Sequence, residues 1–123
     1  MTETEAIRII VTNYMKKFDI SPTQFARRCD VGSSFITKLL NPDYNYGKRG
    51  IYYANIQKLA YGMNLEPNDF QEQIKNLQKT NDTIVKVEYT KEEIQKEIDY
   101  LQNNIIQEIK KMEELKNILK NMD

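Results

Sequence analysis

The chain has 123 residues, with 18 basic and 18 acidic side chains, no histidine and a single cysteine. This length allows one small domain with an appendage, and the lone Cys29 excludes an internal disulfide and suits a reducing cytoplasm. No apolar run approaches the ~18 residues that a membrane span requires, and no signal peptide is evident, so we expect a cytoplasmic protein with no membrane partner.

The formal net charge of zero by itself argues against a nucleic-acid binder. The charges are, however, distributed unevenly along the chain. Residues 1–80 carry 11 basic and 8 acidic side chains, whereas residues 81–123 carry 7 and 10. Between Tyr14 and Ala60 the counts are 8 basic and 3 acidic. This middle segment is therefore the basic part of the chain.

A first helix is predicted from about Thr4 to Lys17. Thr2 and Glu5 have the spacing of a capping box, in which each side chain accepts a hydrogen bond from the backbone of the other residue. Apolar residues then recur at helical spacing and form one stripe: Ile7, Ile10, Val11, Tyr14 and Phe18.

Two short helices follow. Ser21 and Pro22 are a helix start, and Phe25, Ala26 and Cys29 continue it at helical spacing. The segment Asp30-Val31-Gly32 interrupts the pattern. The next helix is capped by Gly32 or Ser33; Ile36, Leu39 and Leu40 form its inward face, and its outward residues are Ser33, Ser34, Thr37 and Lys38. Two short helices joined by a turn that contains glycine are a helix-turn-helix.

The rest of the chain is predicted to be mainly helical as well. Residues 42–50 contain a proline and two glycines and are not regular throughout. A fourth helix runs from about Tyr53 to Met63, and a fifth begins at Glu66-Pro67 and continues through Leu77. Residues 80–83 are a polar linker. In residues 83–89 apolar and charged side chains alternate, as they would in a short strand or an extended connector. Thr90 and Glu93 form a second capping box, and the helix that they begin extends to Met122.

The predicted fold class is therefore all-α. Its predicted parts are a five-helix domain over residues 1–79, a linker or short extended segment over 80–90 and a long C-terminal helix over 91–122.

The segment from Ile20 to Asn41 resembles the helix-turn-helix of phage lambda repressor, Cro and related XRE-like regulators. It aligns without a gap: Ser21 begins the second helix, Ala26 is the small residue where the helices cross, and Val31 lies in the turn. Ile56–Phe70 resembles the fourth helix and the start of the fifth, so roughly residues 5–75 are covered. Pro22 replaces a usual glutamine, Asp30 replaces the turn glycine, and the 42–50 loop is longer than usual.

The resemblance implies a sequence-specific transcriptional regulator of duplex DNA, a dimeric repressor on an inverted repeat. Helix three, about residues 33–41, would enter the major groove, with its copy in the next groove about 34 Å away. The expected base contacts are Ser33, Ser34, Thr37 and Lys38. Arg27 and Arg28 are expected to face outward, and the expected phosphate contacts are Thr23, Arg27, Arg28, Asn41, Lys48 and Arg49.

A second interpretation is a mobile-element or phage protein that uses the same domain to bind and inhibit a host protein, such as a CRISPR nuclease, and to regulate its own promoter. The outward face of helix three separates the two, since DNA reading needs polar side chains there. Phe35 is the only apolar residue on that face, which favours DNA.

An enzyme is not expected, because histidines, paired cysteines and a glycine-rich phosphate loop are all missing; no cofactor or metal is expected either.

The C-terminal helix has apolar residues alternately four and three apart, the spacing of a coiled-coil seam interrupted by Glu108. We expect it to form the homodimer through Ile94, Ile98, Leu101, Ile105, Met112, Leu115 and Leu119. Because Ile106, Ile109 and Ile118 lie off this seam, folding back onto its own domain is the alternative.

The orientation of that pair is open on the sequence alone. In a parallel pair Glu108 faces its twin and Lys111 lies near Lys116 of the other chain, and both contacts are mildly repulsive. Antiparallel packing puts the DNA-binding domains at opposite ends of a helix ~45 Å long. Access to adjacent grooves favours the parallel pair.

Overall fold

The computed structural model describes residues 1–80 and 90–122, and within them it contains helices and no strand. The six helices are α1 Glu3–Lys17, α2 Pro22–Cys29, α3 Ser33–Leu40, α4 Tyr53–Gly62, α5 Pro67–Thr80 and α6 Lys91–Asn121. The all-α fold class is confirmed for this part of the chain. The strand or connector predicted at 83–89 lies outside the described residues, as does most of the predicted linker.

The chain divides into two compact units, Met1–Glu88 and Tyr89–Asp123. In the first unit α2 packs on α3 and α4, α1 packs on α5 and α3, and α4 packs on α5. Every one of these five helices contributes to a single core, whose largest fully buried side chains are Phe25, Phe70, Ile7, Ile36, Leu39, Leu59, Ile74 and Val11.

The helix starts follow the caps that the sequence contains. At α1 the Thr2 hydroxyl accepts the Glu5 N–H at 3.1 Å, and the Glu5 carboxylate accepts the Thr2 N–H at 3.2 Å. Ser21 forms the same arrangement with Gln24, and Pro22 lies in the first turn of α2. Each box satisfies backbone N–H groups that a helix start leaves without intrahelical partners. The predicted starts of α1 and α2 are therefore confirmed.

Three of the helices end in a left-handed residue with an acidic or amide side chain. Asp19, Asp30 and Asn64 have φ of 51°, 56° and 57°. In each case the next N–H bonds to the carbonyl five residues earlier: Ile20 to Met15 at 2.9 Å, Val31 to Ala26 at 3.0 Å and Leu65 to Ala60 at 2.9 Å. The apolar residues after the turns pack against the core. These Schellman ends fix the direction in which the chain leaves α1, α2 and α4.

The C-terminal ends of α2 and α4 approach each other at Gly62. A Cβ built on Gly62 would lie 2.1 Å from the Sγ of Cys29, a distance that real contacts do not reach. Glycine therefore allows the close approach of α4 to α2, and this approach sets the position of the helix that precedes α3.

The second unit contains α6, a 31-residue helix about 46 Å long. Thr90 and Glu93 form its capping box, as predicted. Its large aliphatic side chains are 40% to 68% exposed, and they include every residue assigned to the seam: Ile94, Ile98, Leu101, Ile105, Met112, Leu115 and Leu119. We call these seven residues and Glu108 the α6 seam. None of the helices in residues 1–80 and 90–122 has both the length and the apolar character to cross a membrane.

Candidate nucleic-acid interface

The helix pair α2–α3 has the local geometry predicted for a helix-turn-helix. Two eight-residue helices are joined by residues 30–32, and Asp30 takes the left-handed conformation that the turn requires. Aspartate tolerates this region better than most residues other than glycine and asparagine. Asp30 is thus compatible with the turn expected between α2 and α3.

The outer face of α3 is polar. Ile36 and Leu39 are fully buried on one side of the helix, while all four expected base-contact residues are exposed on the other: Ser33, Ser34, Thr37 and Lys38. Phe35, which the sequence suggested would be outward, is half-buried and packs against the core. This eight-residue helix consequently presents no exposed large apolar side chain.

Two of these four side chains already have contacts within the domain. The Thr37 hydroxyl donates to the Ser33 carbonyl at 3.0 Å, which leaves its oxygen free to accept a hydrogen bond. The Lys38 ammonium lies 5.5 Å from the centre of the Tyr44 ring. An exposed cation–π contact contributes only about 0.5–1 kcal/mol, so Lys38 can leave it for a stronger acceptor such as a base.

Arg8 connects α1 to the end of α3, a role that was not predicted from the sequence. Its Nε donates to the Leu39 carbonyl at 2.6 Å, and an Nη donates to the Tyr44 carbonyl at 3.5 Å. The cation satisfies a carbonyl at the C-terminal end of α3, where the helix dipole is negative. The spacing of residues in α1 could have indicated that Arg8 points toward the domain. Arg8 precedes the buried residues Val11 and Met15 by three and seven positions, which places it on the same face of the helix.

The loop after α3 is ordered by side chains that bond to the backbone. Asn41 Oδ1 accepts the Asp43 N–H at 3.0 Å, and Asn45 Oδ1 accepts the Gly47 N–H at 2.8 Å. Asn41, an expected phosphate contact, is exposed and retains its amide NH₂ as a donor.

Two tyrosines in the same loop meet edge to face, because the Tyr44 and Tyr46 rings lie 4.8 Å apart at 77°. Burial raises the pKa of Tyr46, against the lowering effect of the Arg8 cation. The phenol of Tyr46 therefore stays protonated at neutral pH.

The remaining expected phosphate contacts differ in accessibility. Thr23 lies in the first turn of α2 and Arg27 in its last turn, and both are exposed. Lys48 and Arg49 are exposed in the loop that precedes α4. These four side chains are available to a phosphate backbone.

The outward placement expected of Arg28 is wrong. Its Nε donates to the Gly62 carbonyl at 3.1 Å, an Nη donates to the Tyr14 hydroxyl at 3.1 Å, and its guanidinium lies 5.6 Å from the centre of the Tyr14 ring. Neighbouring residues on a helix point about 100° apart, and these contacts place Arg28 on the side of α2 that faces α1 and α4, while Arg27 is exposed. Arg28 joins α2 to α1 and α4, and we assign it to the structure of the domain.

Cys29 lies beside this arginine, buried between α2 and α4. Burial raises the pKa of its thiol to about 12, although the nearby Arg28 charge and a backbone hydrogen bond from Gly62 lower it. Because the thiolate is the reactive form, Cys29 is not a nucleophile at neutral pH in the folded domain.

Comparison of the chain with protein-family models, curated proteins and solved structures finds no match. The function must be inferred from the arrangement of these residues.

Proposed function

We propose that this protein is a sequence-specific regulator of transcription that binds duplex DNA through α3. On this proposal residues 1–80 form a lambda-repressor-like helix-turn-helix domain, and α3 lies in the major groove. One observation supports it above the others: the outer face of α3 has four exposed hydrogen-bonding side chains, backed by two fully buried residues. A rigid short helix with a polar face is what base reading requires.

The dimensions of α3 suit this role. An α-helix with its side chains is about 10–12 Å across, which fits the ~12 Å width of the major groove, and the eight residues of α3 extend about 12 Å along its axis. Serine and threonine hydroxyls can donate to or accept from either kind of base edge, while a lysine favours the O6 and N7 acceptors of guanine. Lys38 is therefore the residue that we expect to discriminate most between bases.

Contacts to phosphate would come from the exposed residues that flank α3. Arg27 and Thr23 belong to α2, and Lys48 and Arg49 follow α3 in the chain. Such contacts carry no base information, but they add affinity that falls as salt rises, because each neutralised phosphate releases counterions. They also fix the register in which α3 meets the bases.

Dimerisation through the α6 seam completes the proposal, in which the protein is a dimeric repressor on an inverted repeat. Seven apolar side chains are exposed along one helix, and burying each contributes about 1.5–3 kcal/mol. A second copy would cover these side chains and would supply a second recognition helix, since one short helix reads few base pairs. The symmetry of such a dimer matches that of an inverted repeat.

The test is a salt-titrated binding assay with the DNA upstream of the protein's own gene, compared with random DNA. Lys38→Ala should lower affinity for the native site by about 1–3 kcal/mol and affinity for random DNA much less, since a base contact is lost. Arg49→Ala should weaken both DNAs alike and reduce the salt slope by about one unit.

Two results would contradict the proposal. Native DNA bound no more tightly than random DNA at moderate salt would exclude a sequence-specific regulator and favour the host-protein partner. Equal effects of Lys38→Ala and Arg49→Ala on both DNAs would show that the reading face is not the outer side of α3. Thr23→Ala serves as the uncharged control. Threonine carries no charge, so its loss should leave the salt slope unchanged.

A further inference from the structure

The α6 seam lies on a helix whose two halves differ in charge. From Lys91 to Ile106 there are 2 basic and 4 acidic side chains, and from Gln107 to Met122 there are 4 basic and 3 acidic. The helix is continuous over both halves. A second copy laid alongside in the opposite direction sets the acidic half against the basic half, and it also opposes the two helix dipoles favourably.

The seam is also matched in length and spacing to an antiparallel copy. When the numbers of facing residues sum to 213, Ile94 meets Leu119, Ile98 meets Leu115 and Leu101 meets Met112. The two central layers each pair Ile105 with Glu108. Every residue of the seam then has a partner, and no layer opposes two carboxylates.

A parallel pair leaves two electrostatic conflicts that the antiparallel pair relieves. In the parallel pair each Glu108 faces its own twin within one core layer, and Lys111 flanks Lys116 of the other chain. In the antiparallel pair Lys111 flanks Asn104 and Lys116 flanks Gln95. Like charges in direct opposition disfavour a pairing and so select against it.

We propose that the α6 helices of two copies pair in antiparallel orientation, in the register in which Leu101 faces Met112. The inference rests on the dimer in the proposed function and not on its DNA site. It reverses the parallel orientation that groove spacing suggested from the sequence, because the seam itself constrains the pairing more directly than the distance between grooves.

Cysteine crosslinking of the full-length chain distinguishes the two orientations. Two variants, Leu101→Cys and Met112→Cys, are oxidised separately and then after mixing under conditions that allow subunits to exchange. In the antiparallel pair each variant alone remains uncrosslinked, and only the mixture gives a covalent dimer. In a parallel pair, position 101 of one chain and position 112 of the other lie about 16 Å apart along the axis. This is well beyond the ~7 Å between Cα atoms that a disulfide spans.

Native Cys29 does not interfere, because it is buried, and the wild-type chain measures its background. Asn103→Cys, on the side of α6 away from the seam, measures random collision. The second pair of variants, Ile98→Cys and Leu115→Cys, should repeat the pattern, so that one poorly pairing variant does not decide the result.

Two outcomes overturn the proposal. Crosslinking of each variant by itself, with no gain on mixing, shows a parallel pair. A monomeric wild-type chain in light scattering at micromolar concentration shows that a second copy does not cover the seam. Neither outcome bears on specific DNA binding, which the salt titration measures separately.

Discussion

At the scale of single residues, Gly62 is a position where the fold leaves no room for a side chain. Its absent side chain lets α4 approach Cys29, and a Cβ there would meet Sγ at 2.1 Å. We expect Gly62→Ala to lower the free energy of unfolding by about 1–3 kcal/mol, the usual penalty for overpacking, in urea denaturation.

Cys29→Ala provides the control for that change. It removes the sulfur that the new methyl group would meet, so the double variant Gly62→Ala/Cys29→Ala should be less destabilised than the two single effects added together. Strictly additive effects would mean that the contact between α2 and α4 is not what Gly62 preserves.

Asp30 shows how backbone conformation can limit a single position in the turn before α3. Its φ of 56° and ψ of 48° are left-handed, so we expect Asp30→Ala to lower the free energy of unfolding by about 1 kcal/mol. Asp30→Gly should instead leave stability unchanged or raise it by less than ~1 kcal/mol, because glycine adopts this conformation without strain. Chemical denaturation measures both, and Asp30→Asn controls for the loss of charge. Equal destabilisation by alanine and glycine would assign the effect to the side chain.

At the scale of elements, the position of α3 depends on α1 through Arg8. Arg8→Ala removes both donors and leaves the buried Leu39 carbonyl without this partner, so we expect a loss of about 1.5–3 kcal/mol in stability. Arg8→Lys keeps the charge but not the two-pronged geometry, and it should fall between wild type and alanine. Arg27→Ala removes an equal charge from an exposed site and should change stability by less than about 0.5 kcal/mol. Denaturation of all three variants checks this; a similar loss in Arg8→Ala and Arg27→Ala would remove the special role of Arg8.

The helices were largely predictable from the sequence, because local signals specify where they begin. Thr2–Glu5, Ser21-Pro22 and Thr90–Glu93 start α1, α2 and α6 within a residue of the predicted positions. The buried sides of α2 and α3 followed from the spacing of apolar residues in the same way.

Contacts between distant parts of the chain were not predictable by those means. Arg28 and Gly62 are 34 positions apart, and Arg8 and Leu39 are 31 apart, so no local pattern joins them. An arginine in a short helix is outward by default, and only the tertiary packing of Tyr14 and Gly62 turns Arg28 inward. For the α3 face the local pattern sufficed to place the four polar side chains outward, but their binding to bases stays a prediction.

At the scale of the whole molecule, the proposed function assigns DNA recognition to residues 1–80 and dimerisation to α6. A chain that ends at Thr80 keeps the five-helix core and the α3 face but lacks α6. We expect it to be monomeric in light scattering and to bind a native site far more weakly than the full chain does, because the second half-site is no longer tethered. Single half-sites should be bound equally well by both chains. A truncated protein that stays dimeric with full affinity would place the dimer interface in the five-helix domain.

The buried thiol of Cys29 has a consequence for measuring these effects. With a pKa near 12 and no exposure, it reacts with a disulfide reagent only when the domain opens, so its labelling rate at neutral pH reports how often the native state is lost. A ligand that binds only the closed form slows this reaction in proportion to one plus its concentration over its Kd. The chain thus contains its own reporter of occupancy: a DNA duplex that protects Cys29 must bind the folded domain, wherever on its surface it lies.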